Sequence, residues 1–485
     1  MAESAHPLVG QGRRLNQRGF HFAALELWDR LCADPSLEPD DSAILHDEWG
    51  KTLFQLSERQ SALQHFIWAT EAARDEALYA ASSMHAAMAL ASLSEFDRAQ
   101  RTLSQLIDRS THLPPLFRAQ LHGNLAFVQA HNDFHHEAME NTLKSQHFFS
   151  EAGVLTYESD LLTNLGLHHE QLGQMDDALR CLASAADKGR YEHLPSVSEL
   201  SRLHLVLGDH RESIRWAERA LDLVWSSILN YEKEELARLC ATLSNLSFSL
   251  GERGLAMRLI EKGQLLFGQM GMWREWRQTQ DVMDAWSTSK SHPMATDPLA
   301  VDKLSRFLLL LDAQNAQELI NPRFSALLDA RVHYASALCE AVGFTRGQHE
   351  NLVYASRFCD YGLTAVESEI IANPRRSPSA WERFTQHPTL SVFMLESHAV
   401  LPQIRSIILD HHERCDGTGF PNRKTHNEID STALVLAVAD LYATEVAVAH
   451  ASHSKATATL EQEAGRALAP DLVATFLSLF TATES

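Results

Sequence analysis

The chain has 485 residues and is 45% hydrophobic, enough to bury a large core and most simply organised as two or three domains. Lys and Arg total 42 against 63 Asp and Glu, a formal net charge of -21. So acidic a surface has no general footprint for DNA, RNA or an anionic membrane, and any phosphate ligand must be held locally by metal ions or a few placed cations. The opening residues Met1 to His6 carry no basic segment followed by an apolar run, and no stretch approaches ~18 uninterrupted apolar residues. Neither a signal peptide nor a membrane span is therefore expected. Cys32, Cys181, Cys240, Cys339, Cys359 and Cys415 are scattered without CxxC pairs, a pattern suited to a reducing cytoplasm.

The first 270 residues repeat themselves. Trp49-Gly50-Lys51-Thr52-Leu53 is followed by Ala62, Phe66 and Ala69, small and large residues alternating at helical spacings. Small second-helix residues recur at Ala24, Ala62, Ala99, Ala138, Ala178, Ser213 and Ala256, at intervals of 35 to 43 residues. Small side chains are needed where paired helices approach closely, and large ones fill the space beside them. The pattern resembles the tetratricopeptide repeat, whose period is about 34 residues. Seven such hairpins would stack into an α-solenoid that binds a protein partner or mediates self-association. The triplets His135-His136-Glu137 and His168-His169-Glu170 lie inside repeat hairpins, where packing rather than metal binding is expected of them, with His169 in the bulky position.

Small polar residues and two prolines between Trp286 and Pro298 break the helical pattern, and periodicity resumes at Val301. The sharpest chemical signal follows: Asp410-His411-His412-Glu413-Arg414-Cys415-Asp416-Gly417-Thr418-Gly419-Phe420-Pro421. Adjacent histidines at the end of a helix point about a quarter-turn apart, so they can serve neighbouring metal ions. An acid at Asp440 stands in an otherwise apolar helix, where a charge costs several kcal/mol unless it is paired or metal-bound.

From about Asp329 to Phe480 the chain resembles the HD-GYP family, whose defining motif reads His-His-Glu and then Asp-Gly-x-Gly-Tyr-Pro. The resemblance extends to Asp329 and His333 on the first helix, Cys359-Asp360 in place of the His-Asp pair, His387-Pro388, and Ala439-Asp440. It implies an all-helical bundle in which Asp329, His333, Cys359, Asp360, His387, His411, His412 and Asp440 hold divalent ions of Fe, Mn or Zn, two in number. It further implies that Asp360 is catalytic, bridging the metals. The loop of Arg414, Asp416, Gly417, Gly419, Phe420 and Pro421 would face substrate, a cyclic dinucleotide such as cyclic di-GMP or a mixed cyclic GMP-AMP. The whole chain is thus expected to be all-α: a tetratricopeptide-like solenoid over 1–283, a linker over 284–300 and an HD-type metal-dependent phosphohydrolase bundle over 301–485.

The departures from the family bear on activity. Cys359 replaces the first histidine of the His-Asp pair, and either ligates as a thiolate or is a buried structural thiol. Leu363 stands where the family has lysine, and Phe420 keeps the ring of tyrosine without its hydroxyl. After Asp440, Tyr442 to His450 contains no arginine where the family carries an Arg-Pro-Tyr-Arg-like stretch. Metal ligands retained and phosphate-facing cations lost favour a cytoplasmic signalling protein with weak or absent phosphodiesterase activity. The alternative is an active phosphodiesterase regulated by its repeats.

Overall fold

The computed structural model describes residues 6–34, 37–56, 58–109, 111–188, 193–226, 233–288, 301–321, 323–396 and 401–481. Among them the fold is all-α, and extended pairing is limited to two isolated bridges. Helices pair as α1 (Pro7–Gln17) with α2 (His21–Cys32), α3 (Pro39–Gln55) with α4 (Arg59–Ala72), and α5 (Glu76–Ser92) with α6 (Phe96–Arg109). The series continues with α7 (Pro115–His131) and α8 (His135–Glu151), α9 (Glu158–Gln171) and α10 (Met175–Lys188), then α11 (Leu194–Val206) and α12 (His210–Ser226). It closes with α13 (Lys233–Ser249), α14 (Arg253–Gln269) and a further helix α15 (Trp273–Thr288). Helix α15 extends through Thr288, so the first residues of the expected linker are helical; residues 289–300 lie outside the described residues.

The physical reason for the repeat pattern is visible in these pairs. Ala24, Ala62, Ala99, Ala138, Ala178, Ser213 and Ala256 are all fully buried. A Cβ on Gly50 would sit 2.6 Å from the Phe66 ring, and one on Gly166 would sit 2.7 Å from Leu182 Cγ. The hairpins are tetratricopeptide-like in this sense: each close approach depends on a small residue facing a large one. Changing Ala178 to Phe should therefore cost about 1–3 kcal/mol by overpacking. An unchanged urea midpoint for the full chain would count against that packing. His168, rather than His169, is the buried histidine of its triplet, with Thr142 Oγ1 3.3 Å from its Nε2, while His169 contacts Gln174.

Packing groups the chain into two compact units, one of residues 1–10 with 31–307, the other of residues 11–30 with 308–485. The second unit thus takes most of the first hairpin. Its later elements are the part of α16 (Val301–Ile320) from Leu308 onward, α17 (Phe324–Ala341), α18 (Arg346–Phe358), a 3-10 turn (Tyr361–Ala365), α19 (Ser368–Ala372), α20 (Pro378–Phe384) and α21 (His387–Met394). Then come α22 (Leu401–Asp410), α23 (Ser431–Ala443), α24 (His453–Glu463) and α25 (Pro470–Ser478). Phe20 of the first hairpin stacks on Tyr334 of α17 at 5.8 Å between ring centres, and Tyr334 meets Tyr442 of α23 at 4.6 Å. Ser431–Val448, 18 residues of mean hydropathy 1.5, is apolar enough by composition to cross a membrane. Within this unit it is a core helix, with Ala433, Val435, Leu436, Val438, Ala439 and Tyr442 fully buried.

Candidate metal centre

Local sequence explains how the candidate ligands are aimed. Helix α18 ends at Phe358, and Cys359 and Asp360 lead into the 3-10 turn. That turn lies so close to α21 that a Cβ on Gly362 would overlap the His387 carbonyl oxygen and sit 2.6 Å from Ser391 N. Gly362 N–H donates to Ser391 Oγ (2.7 Å), and the Ser391 hydroxyl donates to the Cys359 carbonyl (2.8 Å). One serine therefore ties the end of α18 to α21 and sets Asp360 beside His387.

The loop after α22 is held by buried carboxylates. Asp410 accepts from Lys424 Nζ at 2.7 and 2.8 Å and from Asp430 N–H at 3.0 Å. Glu413 accepts from the backbone N–H groups of Asn422 (2.6 Å) and Lys424 (2.9 Å). Arg414 pairs with Glu463 at 2.8 Å, Asp416 accepts from Thr418 N–H at 3.0 Å, and a cis peptide joins Phe420 to Pro421. Gly417 adopts φ +75°, and a Cβ on Gly419 would lie 2.5 Å from Glu413 Cα. This folding brings the Phe420 ring to 4.8 Å from His412 and 5.9 Å from His387, so the loop covers the histidines.

Asp360, His387, His411 and His412 converge, each offering a donor atom within 4.8 Å of the others. His387 Nε2 and His411 Nε2 are 3.4 Å apart, and Asp360 Oδ1 is 3.7 Å from both. The tautomers are set by the backbone: His387 Nδ1–H donates to Phe384 O (2.9 Å) and His411 Nδ1–H to Ile408 O (2.7 Å). Both Nε2 atoms then face one another across the cavity, an orientation that backbone carbonyls commonly impose on histidines at metal sites. Burial, then the neighbouring His411, lowers the His387 pKa to about 4; burial and both other histidines hold His412 well below its usual value. Burial opposes ionisation of Asp360, but Arg331 and then His411 outweigh it and keep the carboxyl well below the usual range. Imidazole nitrogens and an ionised carboxylate are the donors a borderline divalent metal takes, so the residues fit one such ion.

The remaining expected ligands are not in this cluster. His333 points the other way, edge-on to Phe20 at 5.6 Å, and the close approach of Gly19 leaves room for its ring. Residue Arg331 explains why. Two residues apart on α17, Arg331 and His333 project about 200° apart, so only one can face the centre. Arg331 does: Nη2 lies 2.6 Å from Asp360 Oδ2 and 2.6 Å from Asp440 Oδ1, while Nη1 donates to Ser356 O (3.0 Å) and Cys359 Sγ (3.2 Å). Its contact with Asp440 is a close ion pair without the angle of a hydrogen bond. Cys359, fully buried, meets the guanidinium rather than the imidazoles, and burial first, against Arg331, pushes its thiol pKa well up. Asp329 acts electrostatically on Arg357. The signal for Arg331 was present in the sequence: Leu327, Leu328, Arg331, Tyr334, Ala335 and Leu338 form one helical stripe, with a charge among apolar residues.

The HD domain family matches residues 314–472, the segment that contains the centre. Residues 314–472 form an HD domain. The HD domain's curated relatives include a cyclic di-GMP phosphodiesterase of Thermotoga maritima, 28% identical over 149 residues, covering 29% of this chain and 40% of that protein. A cyclic di-GMP phosphodiesterase of Vibrio cholerae is 24% identical over 216 residues, covering 41% of this chain and 43% of that protein. The chain thus spans less than half the length of either relative. Among solved structures, the apo form of the quorum sensor NprR from B. thuringiensis superposes with a TM-score of 0.42 at 11% identity, covering 78% of this chain and 97% of that one.

Proposed function

We propose that the HD domain binds divalent metal but hydrolyses cyclic dinucleotides weakly or not at all, and that the repeats present it to a protein partner. The observation that carries this reading is an intact Asp360–His387–His411–His412 donor set whose neighbouring cations are already committed. Arg331 is held by carboxylates, Arg414 by Glu463 and Lys424 by Asp410. Leu363 brings no charge, and Tyr442 is buried with its hydroxyl 2.8 Å from His453 Nδ1. Among the described residues, these neighbouring cations are therefore engaged by carboxylates rather than open to the phosphates of a dinucleotide.

The donor chemistry suits Fe, Mn or Zn, and the resemblance of the motifs implies two ions. An ion bound there supplies Lewis-acid charge to a phosphoryl oxygen. Asp360 orients the site by dividing its two oxygens between Arg331 and the histidines, and Phe420 shields the histidines from water. In the repeats, a groove of about 250 Å³ lined by Glu199, Arg202, Arg238, Asn245 and Glu275 offers charges of both signs, which supports a peptide or protein partner over nucleic acid. Six cysteines without disulfides support a cytoplasmic setting.

The second reading, an active phosphodiesterase of cyclic di-GMP or cyclic GMP-AMP, is favoured by the same donor set and by the relatives' activities. Metal analysis of the purified full chain and a turnover assay with both dinucleotides separate the two. The expected result is bound metal with turnover no faster than that of His411→Ala. Brisk hydrolysis abolished by His411→Ala would establish the active enzyme instead.

A further inference from the structure

We propose that the Arg331 guanidinium takes the place of a second metal ion, so that the centre holds one divalent cation, between Asp360, His387, His411 and His412. This rests on the metal-binding reading above and narrows it to a mononuclear site.

The donors divide into two groups around Asp360. On one side, Oδ1 lies 3.7 Å from the Nε2 atoms of His387 and His411, with His412 beside them. On the other, Oδ2 meets Arg331 Nη2 at 2.6 Å, and that same nitrogen lies 2.6 Å from Asp440 Oδ1. Cys359 Sγ, 3.2 Å from Nη1, completes the second group. Asp360, Cys359 and Asp440 are three of the eight ligands that the sequence suggests for two ions. Here they surround a side chain whose charge is permanent and which is only 2% exposed. Asp360 still bridges two cations, but one of them is covalently part of the protein.

Charge favours the same conclusion. Arg331 already places a permanent positive charge between the Asp360 and Asp440 carboxylates, where a second ion would otherwise sit. A second divalent ion among the Arg331 partners would sit within a few ångströms of a guanidinium that cannot lose its proton. Its ligands would also have to leave a guanidinium buried without partners, which is costly. The arginine donors turn toward protein atoms rather than open space, so Arg331 acts as a positioning residue.

The test is metal stoichiometry. The full chain is stripped with chelator, loaded with Mn²⁺, freed of excess and analysed by mass spectrometry and electron paramagnetic resonance. One equivalent with the six-line spectrum of isolated Mn²⁺ is expected for the natural chain and for Arg331→Lys. Arg331→His, which removes the permanent charge and adds a donor, should bind two equivalents with an exchange-coupled spectrum. Two coupled ions in the natural chain would overturn the inference and leave the metal-binding reading intact. A folded Arg331→His chain that still takes one ion would also overturn it. No bound metal in the natural chain would overturn the metal-binding reading itself. The natural-chain measurement decides the matter even where Arg331→His does not fold.

Discussion

Replacing Arg331 with alanine in metal-free protein should destabilise the HD domain by about 3–5 kcal/mol, the usual cost of removing one partner from a buried ion pair. The change leaves Asp360 and Asp440 facing a void without their shared cation, 2.6 Å from where Nη2 had been. It also strips the Ser356 carbonyl and Cys359 of a donor. Hydrogen exchange of amides in α17 and α23 isolates this unit from the repeats and is the appropriate measurement. Added Mn²⁺ should restore much of the protection, because a divalent ion can occupy the vacated position between the carboxylates. Unchanged protection in the metal-free variant would show that the guanidinium is not the counter-charge on which the packing depends.

Gly362→Val should weaken metal binding by about 10–100-fold, as losses in the supporting shell of a metal site typically do. The added side chain meets the His387 carbonyl and Ser391 N, which are backbone atoms of α21 and cannot rotate away. Helix α21 must shift, carrying His387 from Asp360, and overpacking should cost a further ~1–3 kcal/mol of stability. Ser391→Ala is the milder companion: it deletes both bonds that join the turn to α21 without adding volume, and its metal affinity should fall between the two. Titration with Co²⁺, followed by its visible absorption, reads both variants. Equal affinity in Gly362→Val and the natural chain would contradict the proposed dependence of the donor set on this contact.

Much of the molecule was legible because its signals are local or periodic. The repeat hairpins announce themselves through small residues that must be buried where helices touch, and Ala62, Ala178 and Ala256 are fully buried. The pair His411-His412 with Asp-Gly-Thr-Gly-Phe-Pro is a contiguous motif, and Asp360 and His387, spaced from it as the family's motifs are, lie beside it in the structure. His333 misled because a histidine four residues after an acid looks the same in sequence whichever way the helix is turned. The rotation of α17 is set by which residues its neighbours can bury, and that places Arg331 inward and His333 against Phe20.

By itself the sequence determined the all-helical class and the repeating hairpins, and it offered eight candidate donors, of which Asp360, His387, His411 and His412 lie together. These follow from helical period, residue size and ligand chemistry, each carried within a short segment. The tertiary structure alone decided that residues 11–30 join the second unit, and that Asp440 and Cys359 address an arginine instead of the imidazoles. A buried charge chooses its partner by three-dimensional proximity, and the residues that meet the Arg331 guanidinium lie 25 or more positions away along the chain.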